Sequence, residues 1–287
     1  MLDDATAPPD IETSTAAYAD RFSGPIGAYL LDVQSEGVRS LLAGMPLKGG
    51  RVLEVGGGHA QLTHLLLTLG VEVWIQGSAP SCAERLGPLW NEAEGRLHFV
   101  TSSLWALPFA DRTFDLVIGI RLLAHVERWE ALLAEMARVC RRCLVVEYPP
   151  ITSANALEPW LFTLKRLVEH NTRPFACFSM GQLTPILRDL GFAVITQYKQ
   201  FLMPMVVHRI LKRPDLSRRV EGWAHRLGLT RKLGGPALLL AQRPPAPSET
   251  LDSPQRPPDR FSAVADPDSA IDYPYAATAS GSTGRWP

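Results

Sequence analysis

Residues 51–62 read Arg51-Val-Leu-Glu-Val-Gly-Gly-Gly-His-Ala-Gln-Leu62. A short apolar run carries one acid, Glu54, and is followed by three glycines and the start of a helical pattern. Glycines let a ligand approach the backbone without meeting a side chain, and they tolerate a positive φ. The start of a helix presents free N–H groups at the same place. This stretch therefore predicts a ligand-binding turn between a buried strand and a helix.

Two cofactor classes use turns of this kind. A dinucleotide site follows G-x-G-x-x-G, and that pattern would need a glycine at position 61, where the chain has Gln61. A site for S-adenosylmethionine has an acid ahead of G-x-G-x-G, which corresponds here to Glu54, Gly56 and Gly58, with Ala60 in the third glycine position. The second pattern fits better. An ordinary tight turn in another α/β protein remains the structural alternative.

Short apolar runs alternate with helical patterns on both sides of this turn. Seven runs have the length and composition of buried strands, at residues 51–55, 71–75, 97–100, 114–118, 143–147, 192–196 and 237–241. Apolar residues recur at helical spacing over 129–136 and 157–168, and Ser179 with Gln182 resembles a capping box that starts a helix ending at Gly191. The alternation predicts a doubly wound α/β fold, with the ligand beyond the carboxyl ends of the strands.

Composition bounds the class of protein. The chain has 287 residues, 46% of them hydrophobic, and a formal net charge of zero, so we expect a packed core and no nucleic-acid partner. We predict a flexible N terminus over 1–15, one domain over 16–243, and a disordered tail over 244–287, which is rich in Pro, Ser, Ala and Asp. The acidic N terminus is not a secretory signal, and no apolar run reaches the length of about 18 residues that a membrane span needs. We therefore expect a cytoplasmic protein with reduced thiols.

A set of motifs in a fixed order gives the chain a family resemblance. They are Leu107-Pro108-Phe109, Asp111, Phe114-Asp115-Leu116-Val117-Ile118, His125-Val126 and Glu135-Met-Ala-Arg138-Val139. Together with the glycine turn they cover roughly residues 50–148. In this region the chain resembles the class I S-adenosylmethionine-dependent methyltransferases. It is most similar to the type 11 group, which resembles the methyltransferases of ubiquinone and menaquinone biosynthesis.

The resemblance implies a Rossmann-like seven-stranded sheet whose last strand, residues 237–241, runs antiparallel. It also implies a set of cofactor-binding positions at the ends of the first three strands: Glu54, Gly56, Gly57, Gly58, Gln76, Gly77, Ser78, Ser102, Ser103 and Leu104. Two of these depart from the family. An acid that grips the ribose hydroxyls is replaced by Gly77, and an acid that faces the adenine amino group is replaced by Ser103.

The candidates for chemistry lie after the fourth and fifth strands. His125 is a candidate base, and Arg121 and Tyr148, the latter beside Glu147, are candidate contacts for the acceptor. Each also has a structural alternative: a helix-start histidine, a loop charge or a packing aromatic. His59, in the glycine turn, is expected to face solvent. Cys140 and Cys143 form a lone C-x-x-C pair, and because a zinc site needs a second pair, no metal is expected.

Residues 199–232 form a basic segment between the last two predicted strands, with nine Lys or Arg and several apolar residues. Its structural interpretation is a solvated face on helices that cover the sheet. Its functional interpretation is a surface that attracts an anionic acceptor or makes peripheral contact with an acidic membrane carrying a lipid-linked one.

Two functions follow from these patterns. The first is S-adenosylmethionine-dependent methyl transfer to a small-molecule acceptor or to a lipid- or glycan-linked one. The alternative is a regulatory or scaffold protein that binds the cofactor without turnover, which the missing acids at Gly77 and Ser103 favour.

Overall fold

The computed structural model of the chain describes residues 8–153 and 176–244. Seven strands form one sheet, and in chain order they are β1 (Arg51–Val55), β2 (Glu72–Gly77), β3 (Leu97–Thr101), β4 (Phe114–Gly119), β5 (Cys140–Tyr148), β6 (Ala193–Phe201) and β7 (Gly235–Gln242). The spatial order is β3-β2-β1-β4-β5-β7-β6. The first five strands pair in parallel, and β7 runs antiparallel to both of its neighbours. The predicted Rossmann-like sheet with an antiparallel last strand is confirmed.

The described helices are α1 (Pro9–Thr13), α2 (Ala16–Ala19), α3 (Gly24–Leu42), α4 (Thr63–Thr68), α5 (Gly87–Glu92), α6 (Trp129–Val139), α7 (Met180–Asp189), α8 (Met205–Leu211), α9 (Pro214–Arg226) and α10 (Leu229–Leu233). Short 3-10 turns lie at Asp20–Phe22, Gly57–His59, Pro80–Leu86 and Leu123–His125. Apolar side chains of α6 and α7 pack on one face of the sheet. Those of α3 and α4 pack on the other face, so the core has two layers.

Several local predictions agree with the structure. The helix predicted from the period at 129–136 is α6, and Ser179 and Gln182 form a complete capping box at the start of α7. Gly191 has a φ of +84° just after that helix, which is the conformation a glycine stop provides. Pro185 lies inside α7. The helix predicted over 157–168 and the tail beyond 244 lie outside the described residues.

The N terminus differs from its prediction. Residues 9–13 form α1, and Asp10 and Thr13 on this short helix are buried against the turn that follows β1. The alanines, prolines and threonines around Asp10 predicted a flexible N terminus, because these residues have little apolar surface to bury. Asp10 and Thr13 are nevertheless buried, because α1 packs on the edge of the sheet.

The basic segment folds over the end of the sheet as α8, α9 and α10. One buried acid, Glu221 of α9, holds this layer together. Its carboxylate accepts hydrogen bonds from the backbone N–H groups of Leu202 and Met203 at 2.7 and 2.9 Å, and its Oε1 lies 3.1 Å from Nε2 of His208. Nδ1 of the same histidine lies 2.9 Å from Oγ of Ser217. No helix among the described residues is long and apolar enough to cross a membrane.

Candidate functional site

The three glycines after β1 leave no room for side chains. Gly56 has a φ of +66°, which favours glycine. A Cβ on Gly57 would lie 2.5 Å from Cγ of Glu54. A Cβ on Gly58 would lie 2.3 Å from Oγ of Ser14 and 2.4 Å from the carbonyl oxygen of Cys82. The turn is therefore closely packed between the acid of β1 and the segments above it.

Glu54 is fully buried at the base of this turn. Neither of its carboxylate oxygens has a well-aligned hydrogen-bond partner in the described residues. Burial raises the pKa of Glu54 to about 8, and the nearby Thr63 hydroxyl offsets this only in part. His59 was expected to face solvent, and this is wrong: it is buried, and its Nε2 lies 3.7 Å from Oε1 of Glu54. Burial lowers the pKa of His59 to about 3, so the ring is neutral and leaves the acid without an ion pair.

The ends of β2 and β3 carry the other predicted cofactor positions. Gln76 is engaged at both ends of its amide, since Oε1 accepts from the N–H of Gly56 at 3.0 Å and Nε2 donates to the carbonyl of Ser102 at 2.8 Å. It holds the three strand ends in register. Ser103 is exposed, with its Oγ accepting from the N–H of Trp105, and Leu104 is buried in the core.

Unpaired polar atoms collect at this edge of the sheet. Buried side-chain oxygens without a well-aligned hydrogen-bond partner in the described residues include Oδ1 of Asp10, both carboxylate oxygens of Glu54 and the hydroxyl of Ser102. The hydroxyls of Thr63 and Ser78 are also poorly aligned, and they face Glu54 and Asp10 respectively. Buried polar groups in folded proteins are nearly always paired, so a group of unpaired ones indicates a place where a polar ligand completes the hydrogen bonds. The predicted positions Glu54, Ser78 and Ser102 lie in this group.

Arg121 lies in the loop after β4 and has a positive φ of 57°, which is unusual for a residue with a side chain. Its guanidinium donates to Oε1 of Gln61 at 2.8 Å and to Oε1 of Gln34 at 2.7 Å, and it lies 4.3 Å from the ring centre of Phe22. It is only 8% exposed. Within residues 8–153 and 176–244 no carboxylate forms an ion pair with it, so a buried positive charge is held by neutral groups.

Glu147 and Tyr148 end β5 and point to opposite faces of the sheet. Glu147 is on the side of Arg121: its Oε2 accepts from the backbone N–H of Arg121 at 2.8 Å, and its Oε1 accepts from Gln200 at 2.7 Å. Tyr148 is buried on the other side, where its hydroxyl donates to Oε1 of Gln197 at 2.7 Å. The structure thus brings Glu147 to Arg121, and it does not bring Tyr148 there. His125 ends a short turn nearby and is partly buried.

The two cysteines of the C-x-x-C pair are buried, and Sγ of Cys140 donates to the carbonyl oxygen of Cys143 at 2.9 Å. Burial raises the pKa of Cys140 to about 12, which keeps its thiol protonated. In the described part of the chain no three His, Cys, Asp or Glu side chains are grouped as a metal site.

Residues 52–142, which include the glycine turn and β4, match the family described as a methyltransferase domain. This region of the chain is therefore a methyltransferase domain, similar to the class I methyltransferases that use S-adenosylmethionine. Membership of the type 11 group stays a prediction. No curated protein matches the chain significantly.

Solved structures similar to this chain agree on the fold. Magnesium protoporphyrin IX methyltransferase from Synechocystis PCC 6803, with bound S-adenosylhomocysteine, has a TM-score of 0.57 at 19% identity over 84% of this chain and 100% of its own. An S-adenosylmethionine-dependent methyltransferase from Mesorhizobium loti has a TM-score of 0.53 at 17% identity over 74% of this chain and 100% of its own. The [4+2]-cyclase SpnF has a TM-score of 0.50 at 18% identity over 74% of this chain and 82% of its own. At such identities the likeness concerns the fold alone, and the acceptor must be inferred from the site.

The residues at the strand ends fit this cofactor. A buried carboxylate without a well-aligned partner suits the cofactor's ammonium group, and serine hydroxyls suit its adenosine. Glu54, Ser78 and Ser102 are our candidates for these contacts, while Asp10, Ser14 and Cys82 of the chain itself lie against the glycines.

Three site residues were missed or undervalued from the sequence. Gln34 and Gln61 hold Arg121, and Asp10 lies on the turn after β1. Glutamine carries no signature of such a role, because its partner is chosen by packing across the fold. Asp10 is one of several acids in the N-terminal segment, beside Asp3, Asp4 and Glu12, so the sequence does not single it out either.

Proposed function

We propose that this methyltransferase acts on an acceptor that carries an acidic group, held by Arg121. When bound, S-adenosylmethionine supplies an electrophilic methyl group on a sulfonium. The chain's own task is to align an acceptor atom with that methyl group and to exclude water. The single observation that carries the proposal is the buried guanidinium without an ion-pair partner.

An arginine is rarely buried unless it is paired, because removing its charge from water costs several kcal/mol. Gln34 and Gln61 satisfy part of its hydrogen-bonding capacity and hold the side chain in place, but they supply no negative charge. A carboxylate or phosphate on the acceptor would supply it, and a planar guanidinium can bind such a group through two hydrogen bonds.

Proton transfer is needed only if the accepting atom carries a proton that must leave. His125 remains our candidate base, because it follows β4 on the ligand side of the sheet. Glu147 is the better neighbour of the acceptor than Tyr148, because the carboxylate is already directed to the loop of Arg121.

The test is a labelled-methyl screen in which each candidate acid is paired with its neutral ester or amide. We expect methyl transfer to an acid and little to its neutral partner. In the Arg121→Gln protein the KM for that acid should rise by about tenfold or more, as expected for a lost charged hydrogen bond. Its affinity for S-adenosylhomocysteine should stay unchanged.

The matched control is Arg188→Gln, because Arg188 lies on α7 with its side chain 75% exposed. This change should alter neither the KM for the acid nor the affinity for S-adenosylhomocysteine. Equal transfer to acids and neutral partners would contradict the proposal. So would a loss of cofactor affinity in Arg121→Gln, which would assign the guanidinium to the cofactor. Cofactor binding without any methyl transfer would support the regulatory alternative.

We also propose that the acceptor is presented at an anionic membrane surface, on which α8, α9 and α10 rest. Six of the nine large hydrophobic side chains that are exposed in the described residues lie in these helices or just after them, namely Ile210, Leu211, Leu216, Trp223, Leu227 and Leu233. Exposed basic residues lie among them: Lys212, Arg213, Arg219, Arg226, Arg231 and Lys232. Leu216, Trp223 and Leu227 fall on one stripe at helical spacing. An apolar stripe with flanking cations supports contact with an acidic bilayer.

This contact can be measured by flotation with neutral vesicles and with vesicles containing anionic lipid. Each cation near an anionic surface contributes about 1 kcal/mol, so we expect binding to the anionic vesicles that weakens with salt. Replacing Arg219 and Arg226 by Glu should abolish it, and Trp223→Ser should weaken it. Arg188→Glu, an exposed position on α7 outside this surface, is a control that carries half of that charge change. If binding does not depend on lipid charge, or if the double variant still binds, the basic residues form only a solvated face and the membrane proposal is wrong.

A further inference from the structure

The short helix α1 lies directly on the glycine turn that would hold the cofactor. A Cβ on Gly56 would come within 3.2 Å of Cβ of Asp10, and a Cβ on Gly58 within 2.3 Å of Oγ of Ser14. Both of these N-terminal residues are buried. Glycines in such a turn serve the close approach of a ligand. Here the atoms that approach them belong to the chain's own N-terminal segment.

The same helix joins the turn after β1 to the turn after β2. Oδ2 of Asp10 accepts a hydrogen bond of 2.6 Å from the backbone N–H of Ser78. The thiol of Cys82, in the 3-10 turn after β2, lies 3.8 Å from that oxygen and 3.8 Å from the carbonyl oxygen of Asp10. In a doubly wound fold the ligand binds in the crevice beyond the carboxyl ends of the strands. The helix α1 therefore fills the crevice between β1 and β2 and takes the space that a nucleoside would need.

The contacts that hold α1 in this place are few and polar. The helix has five residues, no side chain caps its start, and its buried residues are Pro9, Asp10 and Thr13. A helix this short is not stable on its own, so its docked position depends on what it touches. Burial raises the pKa of the Asp10 carboxyl, although the hydrogen bond from Ser78 lowers it, so the docked position is unfavourable for the charge. A ligand can therefore displace α1 without breaking a large apolar contact.

We propose that α1 is an autoinhibitory plug, which occupies the cofactor site of the ligand-free chain and leaves it when S-adenosylmethionine binds. The apparent affinity for the cofactor is then reduced by the fraction of molecules in which the site is open. A partner that holds the N-terminal segment away from the sheet would raise that affinity and so activate the protein. The proposal rests on cofactor use by this domain and does not depend on the acceptor proposed above.

The first test is amide hydrogen exchange of the full chain with and without saturating S-adenosylhomocysteine. The backbone N–H groups of Ser14 and Thr15 donate within the N-terminal segment, to the carbonyl oxygens of Asp10 and Glu12. We expect the ligand to speed exchange over residues 9–15, because α1 leaves the sheet and frays. The amides of α6, which packs on the sheet away from this segment, are the internal control and should keep their rates.

The second test measures the affinity for S-adenosylhomocysteine by calorimetry on variants of the full chain. Asp10→Lys is the informative variant, because a buried, unpaired ammonium group is so unfavourable that α1 must leave the site. If α1 occupies the site in about nine of ten ligand-free molecules, the variant should bind about tenfold more tightly than the parent. Asp20→Lys makes the same charge change at an exposed position just after α2, and it should bind as the parent does.

Thermal melting checks that both variants are folded. Slower exchange over residues 9–15 with ligand would overturn the proposal, because α1 would then cover the bound cofactor. Equal or weaker binding by folded Asp10→Lys would overturn it as well. If neither the parent nor the folded variants bind the ligand, cofactor use itself is wrong and the plug has no function, whereas failure of the acceptor screen would leave these affinities unchanged.

Discussion

At the scale of single residues, Glu54 has an environment that ties cofactor binding to pH. Its pKa is raised by burial to about 8 from 4.5, so the folded, ligand-free protein holds the proton at neutral pH while the unfolded chain does not. Stability from this site is therefore present below about pH 4.5 and is lost as the pH rises toward about 8. A cationic ammonium group beside the carboxylate would favour the ionised form and release the proton.

We predict that the affinity for S-adenosylhomocysteine rises between pH 6 and pH 8, by up to about tenfold for each pH unit. Glu54→Gln should bind weakly with a flatter profile, and it should unfold at a higher temperature than the parent at pH 8 without ligand. Calorimetry and thermal melting measure the two effects. Burial also raises the pKa of Asp10. Because Asp10 is present in both proteins, the difference between their pH profiles reports on Glu54 alone. Parallel pH profiles would show that Glu54 does not contact the ammonium group.

At the scale of elements, the layer of α8 and α9 depends on one carboxylate. Glu221 accepts two backbone N–H bonds after β6 and faces His208, so its loss leaves several buried polar groups unpaired. We predict that Glu221→Ala lowers the free energy of unfolding by about 2–4 kcal/mol. It should also reduce vesicle binding, because the basic helices lose their support.

Chemical denaturation measures the first effect, and Asp215→Ala is its control. Asp215 lies on the same helix, its side chain is 89% exposed, and its pairing with Arg218 at 3.6 Å should contribute less than about 1 kcal/mol. Equal losses in the two variants would show that the network of Glu221 does not hold the layer.

At the scale of the whole molecule, the domain boundary after β7 can be tested by truncation. Residues 245–287 lie outside the described residues, and their composition predicts that they bury too little apolar surface to fold. A chain ending at Pro245 should therefore melt within about 2 °C of the full chain, as expected for a change of a few tenths of a kcal/mol. It should bind S-adenosylhomocysteine equally well. A clear fall in melting temperature would show that the tail packs on the domain.

The sequence by itself determined the sheet and the cofactor turn. Strand and helix periods, the capping box at Ser179 and the glycine requirement at Gly56 are properties of consecutive residues, so they can be identified without the fold. The orientation of β7 came from the family resemblance. The end of β6 beyond residue 196 escaped prediction because Gln197, Lys199 and Gln200 interrupt the apolar run.

Only the tertiary structure decided which side chains meet at the site. Asp10 reaches Ser78 across 68 positions, and Arg121 meets Gln34 across 87, because helices far apart in the chain pack on the same sheet edge. The tertiary structure also decided that Glu147, and not the adjacent Tyr148 at the end of β5, lies beside Arg121. Successive residues of a strand point to opposite faces, and the layer that covers each face is set by the strand order. Local sequence carries no information about that choice.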